Sequence, residues 1–127
     1  MTYSLQEIVC RMMSVRDSLQ IYHWTTKSFS RHKGSDELIS KLTSNMDKFV
    51  EVYSSMYPVA LKSMEITIER HTDSKISGFL YDFILYLNGM TVKTKLRHNQ
   101  SAANDLLNIR DEIVADLHTT LYLFTLK

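Results

Sequence analysis

Residues 63–74 read S-M-E-I-T-I-E-R-H-T-D-S, and the fold turns on whether this stretch is a loose turn or a span across the molecule. Met64, Ile66 and Ile68 alternate with Glu65, Thr67 and Glu69, the period of two expected of an extended strip with one face against a core. On both sides the period changes to that of helices. Upstream, Leu38, Ile39, Leu42, Met46, Phe49, Val50, Tyr53 and Met56 mark one face of a second helix beginning between Ser30 and Ser35, which Pro58 kinks or ends. Downstream, F-L-Y-D-F-I-L-Y-L opens a third helix expected over roughly Lys75 to Arg97. A helix of about 28 residues is ~42 Å long and about twelve extended residues reach ~40 Å, so the strip just suffices to return along it. Helices two and three would then run parallel, as in ferritin-like bundles, whereas an up-down bundle needs only a tight turn there. The other reading is a surface loop.

The remaining helices follow from local signals. Ser4-Leu5-Gln6-Glu7 is a capping box, so helix one should open there and run to about Lys27. Its stripe is Leu5, Ile8, Val9, Met12, Val15, Leu19 and Tyr22; Met13, Ile21 and Trp24 lie off it, which suggests burial on two sides. Helix four starts near Ser101 and carries Leu106, Ile109, Ile113, Leu117, Leu121 and Phe124. The expected fold class is all-α: one domain over residues 1–127, a ferritin-like four-helix bundle with one long crossover between helices two and three.

Composition narrows the function classes. The 127 residues hold 15 basic and 14 acidic side chains, a balance with no electrostatic case for nucleic acid, and no lysine-rich arm stands at either end. Cys10 is the single cysteine, so neither an intrachain disulfide nor a thiolate metal cluster can form. No signal segment and no apolar run of membrane-spanning length is visible, so a cytoplasmic protein without membrane contact is expected. Three glycines and one proline against seven methionines favour long helices over sheet.

The residues suited to chemistry gather around helix two. Asp36 follows His32 by four residues, and Asp47 and Glu51 follow Asp36 by eleven and fifteen, which places the three carboxylates within about 60° on one stripe. Imidazole and carboxylate donors without thiolate suit iron, manganese or zinc, and a carboxylate-bridged iron pair would use this set fully. The stripe lies about 120° from the apolar face, where acidic residues are most often a solvated surface beside lysines such as Lys41 and Lys48. His23 sits on the apolar stripe of helix one, where most histidines are satisfied core residues. Spacing leaves both alternatives open. Glu112, Asp116 and His118 lack the Glu-x-x-His spacing of di-iron bundles and read as surface or capping groups; His71 and His98 read as solvent-facing, and Cys10 as a small buried hydrophobe.

His23-Trp24, His32, Asp36, Asp47 and Glu51 together resemble the ferroxidase motif of the Dps mini-ferritins: a histidine–tryptophan pair, a second histidine, an aspartate four residues on, and D-x-x-x-E eleven beyond. The loop between the histidines is about three residues shorter here. The resemblance implies that His23, His32 and Asp36 of one subunit and Asp47 with Glu51 of its twofold mate hold two irons, with Trp24 packed beside them to intercept stray oxidants. A fuller resemblance runs through Y-H-W-T-T-K-S-F-S-R-H-K, D-K-F-V-E-V-Y and the terminal L-L-N-I-R-D-E-I-V-A-D-L-H-T-T-L-Y-L-F-T-L-K. These stretches are similar to short Dps-like proteins encoded by large DNA viruses and some phages. That group keeps the two histidines and the D-x-x-x-E pair but not the aspartate at position 36, which makes Glu37 the substitute ligand.

The resemblance implies oxidation of ferrous iron by peroxide or oxygen in a homodimer, with zinc or manganese as the other metals for the donor set. Twelve subunits in a closed shell would also store ferric mineral, whereas a dimer would only oxidise. If the chain is virus-encoded, host cytoplasm or virion is its place. The Dps helix in the long connection is replaced by the 63–74 strip, and without a basic tail DNA compaction is not expected. The alternative is a non-catalytic viral structural or interaction protein that retains the bundle, with a polar network or a structural metal holding the dimer.

Overall fold

Helix α1 (Leu5–Thr25) starts at the capping box: Glu7 N donates to Ser4 Oγ at 3.1 Å, and Ser4 N donates to the Glu7 carboxylate at 3.0 Å. Two of the four amide groups a helix start leaves without partners are thereby satisfied. The computed structural model describes residues 3–92 and 99–126. Helix α2 (Phe29–Met56) begins directly after a short elbow, with Ser28 as its N-cap accepting from Arg31 N at 3.3 Å. Helix α2 thus begins one residue before the earliest start expected of it, and His32 and Gly34 lie inside the helix. Tyr57 stays extended before Pro58, as the proline ring requires, and α2 ends there.

Helix α3 (Ile76–Asn88) is shorter than the sequence pattern predicts. Its last carbonyls are taken by partners far along the chain. Arg110 Nη1 donates to Leu87 O at 3.2 Å and Met90 O at 3.1 Å, and Tyr3 OH donates to Tyr86 O at 3.1 Å. The Tyr3 ring stacks on Tyr86 at 4.3 Å, and its hydroxyl lies where a side chain on Gly89 would stand. The predicted continuation over 93–97, and His98, lie outside the described residues. Helix α4 (Gln100–Leu123) completes an all-helical fold, and the described residues contain no strand. No described helix is long and apolar enough to cross a membrane.

Helix α2 packs on α1 and on α4, and α3 packs on α4 and more lightly on α1. The core between them is built by Ile8, Met12, Leu19, Tyr22, Leu42, Phe49, Leu80, Phe83, Leu106 and Ile113, all essentially inaccessible to water. Of the α1 residues off the apolar stripe, Met13 and Ile21 are half-buried and Trp24 is exposed.

Residues 58–72 form no helix, and their ties advance along α1 in order. Lys62 N donates to Gln6 Oε1 at 2.9 Å, Cys10 Sγ to Glu65 O at 3.5 Å, Glu69 N to Ser18 Oγ at 3.0 Å, and Tyr22 OH to Asp73 Oδ1 at 2.7 Å. Met64 and Ile66 are half-buried as the alternation predicts, but Ile68, expected inward, is 52% exposed. His71, expected in solvent, is half-buried and stacked on Phe79 at 4.0 Å. Its Nε2 lies 3.3 Å from Glu69 Oε2, outside hydrogen-bond geometry. Cys10 is only half-buried.

Candidate metal centre

The elbow between α1 and α2 brings His23 and His32 face to face. Thr26 N donates to Tyr22 O at 2.8 Å, closing α1, and Ser28 N donates to Thr26 Oγ1 at 3.3 Å before α2 turns back. The last turn of α1 and the first of α2 then lie side by side, and the imidazoles stack with centroids 3.9 Å apart and planes 17° apart. His23 Nδ1 is 2.6 Å from His32 O, and His32 Nδ1 is 2.8 Å from His23 O. A carbonyl oxygen only accepts, so both Nδ1 atoms carry the proton. Ser35 Oγ, itself donating to His32 O at 3.1 Å, stands 3.3 Å from His23 Nδ1. In the neutral rings the unprotonated nitrogen is therefore Nε2 in both, and among the described residues no hydrogen bond engages either one. An imidazole whose Nδ1–H is held by a backbone carbonyl is the usual form of a histidine metal ligand.

The carboxylates do not join the pair within one chain. Among the described residues no three His, Cys, Asp or Glu side chains stand close enough to hold an ion together. Asp36, Glu37, Asp47 and Glu51 are exposed along α2. With 1.5 Å of rise per residue, Asp47 and Glu51 are about 22 and 28 Å along the helix from His32. Glu51 lines an open groove between α2 and α4 with Lys48, Asp105 and Glu112. Asp116, expected at the surface, is half-buried in a neighbouring groove beside Lys41 and Asn45. Burial raises its carboxyl above the ordinary range, with Glu112 adding and Lys41 opposing. His118 is exposed, and so is Trp24 at 67% with Phe29 at 75% nearby, so neither aromatic packs beside the histidines within the chain.

Behind the histidines lies a second rung that the sequence reading does not single out. Arg31 Nη1 donates to Tyr22 OH at 3.1 Å and to Asp73 O at 3.0 Å, and Nη2 donates to Phe124 O at 3.1 Å. The guanidinium also lies 5.0 Å from the Phe124 ring centre. Asp73 Oδ1 accepts from Tyr22 OH and, at 2.8 Å, from Thr26 Oγ1. Those two hydroxyls, with Arg31 assisting, hold the Asp73 carboxyl below its usual range. Burial pushes the Tyr22 phenol up. Two signals could have found this network: an arginine in the first turn of a helix, at the wrong pole of its dipole, and a tyrosine in an apolar stripe whose hydroxyl needs a partner.

No curated protein and no solved structure matches the chain. Residues 23–124, from the first histidine of the pair to the phenylalanine under Arg31, match a family described as a family of unknown function (DUF5856), and the chain belongs to that family.

Proposed function

We propose that the protein is a Dps-like ferroxidase whose His23–His32 pair binds ferrous iron at a site completed by carboxylates of a second copy. The observation that carries this reading is the reciprocal Nδ1–H to carbonyl bonding, which leaves two Nε2 lone pairs on stacked rings. The donor set fits the metal: imidazole nitrogens next to exposed carboxylates, with the single thiol engaged elsewhere. Asp36, or Glu37 in its stead, lies about one turn of α2 beyond His32 and is the carboxylate of the same chain able to join them. Asp47 and Glu51 are too far along their own helix, so they serve the site of a twofold mate. The order of packing also supports a ferritin-like bundle. Helices α2 and α3 each pack on both α1 and α4, and the ties of the strip advance along α1, an arrangement that a long crossover between parallel α2 and α3 would produce.

Iron is substrate here and not a resident cofactor. Two ferrous ions give up one electron each, and one peroxide takes both with two protons to leave two waters. The histidines bind and orient, the carboxylates neutralise the growing positive charge, and Trp24, exposed in the single chain, is covered by the mate. A homodimer is the minimal active unit, and a closed shell of twelve would add storage.

The test is ferrous iron with stoichiometric peroxide, followed anaerobically by ultraviolet absorbance on demetallated protein. Oxidation of about two irons per site should be fast in wild type and fall to the buffer rate in Asp47→Ala/Glu51→Ala and in His23→Ala. A second reading has its own observation: among the described residues no third donor stands close enough to complete a site with the pair, which would then work as a staple closing the elbow of a non-catalytic interaction module. Wild type oxidising no faster than buffer, with His23→Ala losing stability, would select the staple.

A further inference from the structure

Two rungs cross the α1–α2 elbow, each joining residues nine apart in sequence. The outer rung is His23–His32; the inner is Tyr22–Arg31, one residue earlier on both helices. Any shift that separates Tyr22 from Arg31 must also slide His23 past His32, because each pair shares its two stretches of backbone. Asp73 governs the inner rung from outside. Its carboxylate accepts from Tyr22 OH and from Thr26 Oγ1, and its carbonyl accepts from Arg31. The Thr26 hydroxyl, having donated to Asp73, presents its lone pair to Ser28 N, the residue that caps α2. One carboxylate at the end of the crossover thus sets both the turn and the register of the two helices.

We propose that Asp73 is a positioning residue for the histidine pair, holding both rings in the register that keeps each Nδ1–H on the other's carbonyl and each Nε2 free. Its effect on metal affinity rests on the metal-ligating reading of the pair; its effect on the rings does not. Asp73 touches neither histidine, so it acts only through Tyr22, Thr26 and Arg31.

The experiment has two readouts on the full chain. Nitrogen-15 NMR of the metal-free protein, well above the usual histidine pKa, reports which ring nitrogen of His23 and His32 carries the proton. Titration with Co²⁺, followed by visible absorbance, reports affinity. In wild type both rings should be Nδ1–H. In Asp73→Ala the helical circular dichroism should persist while both rings become tautomer mixtures, and Co²⁺ affinity should fall about 10-fold or more, as when a ligand's orienting partner is lost. Asp73→Asn keeps the acceptor oxygen and should restore both readouts, which a general loss of packing would not allow. Thr26→Val, which removes one donor at constant volume, should shift both in the same direction and decides the matter if Asp73→Ala does not fold. Wild type that binds no Co²⁺, with ring tautomers that still respond to Asp73→Ala, would end the metal reading and leave the positioning role standing. Folded Asp73→Ala with both rings still Nδ1–H and unchanged affinity would overturn the proposal.

Discussion

Gly34 lies inside α2 where the Phe124 ring crosses the helix. A methyl group there would stand 3.4 Å from Phe124 Cε1, an ordinary approach. Replacing glycine by alanine in a helix interior gains about 0.5–1 kcal/mol, so Gly34→Ala should raise the urea midpoint correspondingly. Gly34→Leu should lower stability by about 1–3 kcal/mol, since it must displace Phe124 and with it the carbonyl that receives Arg31. Asp116 is the second residue whose surroundings set a sign. Its carboxyl titrates above the ordinary 3.8 in the folded chain because burial disfavours the charge. Folding therefore favours the protonated acid: the stabilising contribution is fully present below 3.8 and is lost as pH rises through the folded value. Asp116→Asn keeps the shape without the charge, so it should be a few tenths of a kcal/mol more stable than wild type at neutral pH and equal to it in acid, by chemical denaturation at both.

Helices α1 and α2 meet end to start at the histidines, and their dipoles oppose there. The carbonyls closing α1 bring about half a negative charge and the amides opening α2 about half a positive one, so a cation at the pair meets a nearly balanced field. The far end of α1 depends on its capping box, and Ser4→Ala should cost about 1 kcal/mol in thermal unfolding. What could be read in the sequence divides along the same line. The start of α1, the end of α2 and the stripe of α4 follow from signals a few residues wide: Ser4 with Glu7, Pro58, and Leu106 through Phe124. The end of α3 does not, because Tyr3 and Arg110, which take its carbonyls, lie 83 and 23 residues away. The same holds at the candidate site. His23 and His32 stand out in the sequence as candidates by residue type and by the motif they resemble, while spacing alone leaves a core reading open; Arg31 reaches Asp73 and Phe124 across 42 and 93 residues, a meeting only the folded chain makes.

At the scale of the molecule, the proposed dimer would draw on exposed aromatics. Trp24 and Phe29 belong to the same α1–α2 elbow as the histidines, and burying them is favourable by roughly 1.5–3 kcal/mol per large side chain. Trp24 is the single tryptophan, so its emission should move to shorter wavelength as the protein is concentrated, in step with the mass seen by light scattering. In Asp47→Ala/Glu51→Ala the shift should persist if assembly rests on apolar contact and vanish if it rests on shared metal. The strip over 58–72 bears on a different property. Much of it is exposed, and hydrogen bonds between its backbone and α1 side chains tie it to that helix, while the packing of α1 on α2 and of α2 on α4 does not pass through it. Covalent continuity there adds little to the core, so a protease cutting near Thr67 should leave a nicked molecule that elutes and melts much like the intact one. The chain is in this sense already two helical hairpins sharing one hydrophobic core, and they could be supplied as separate polypeptides that find each other.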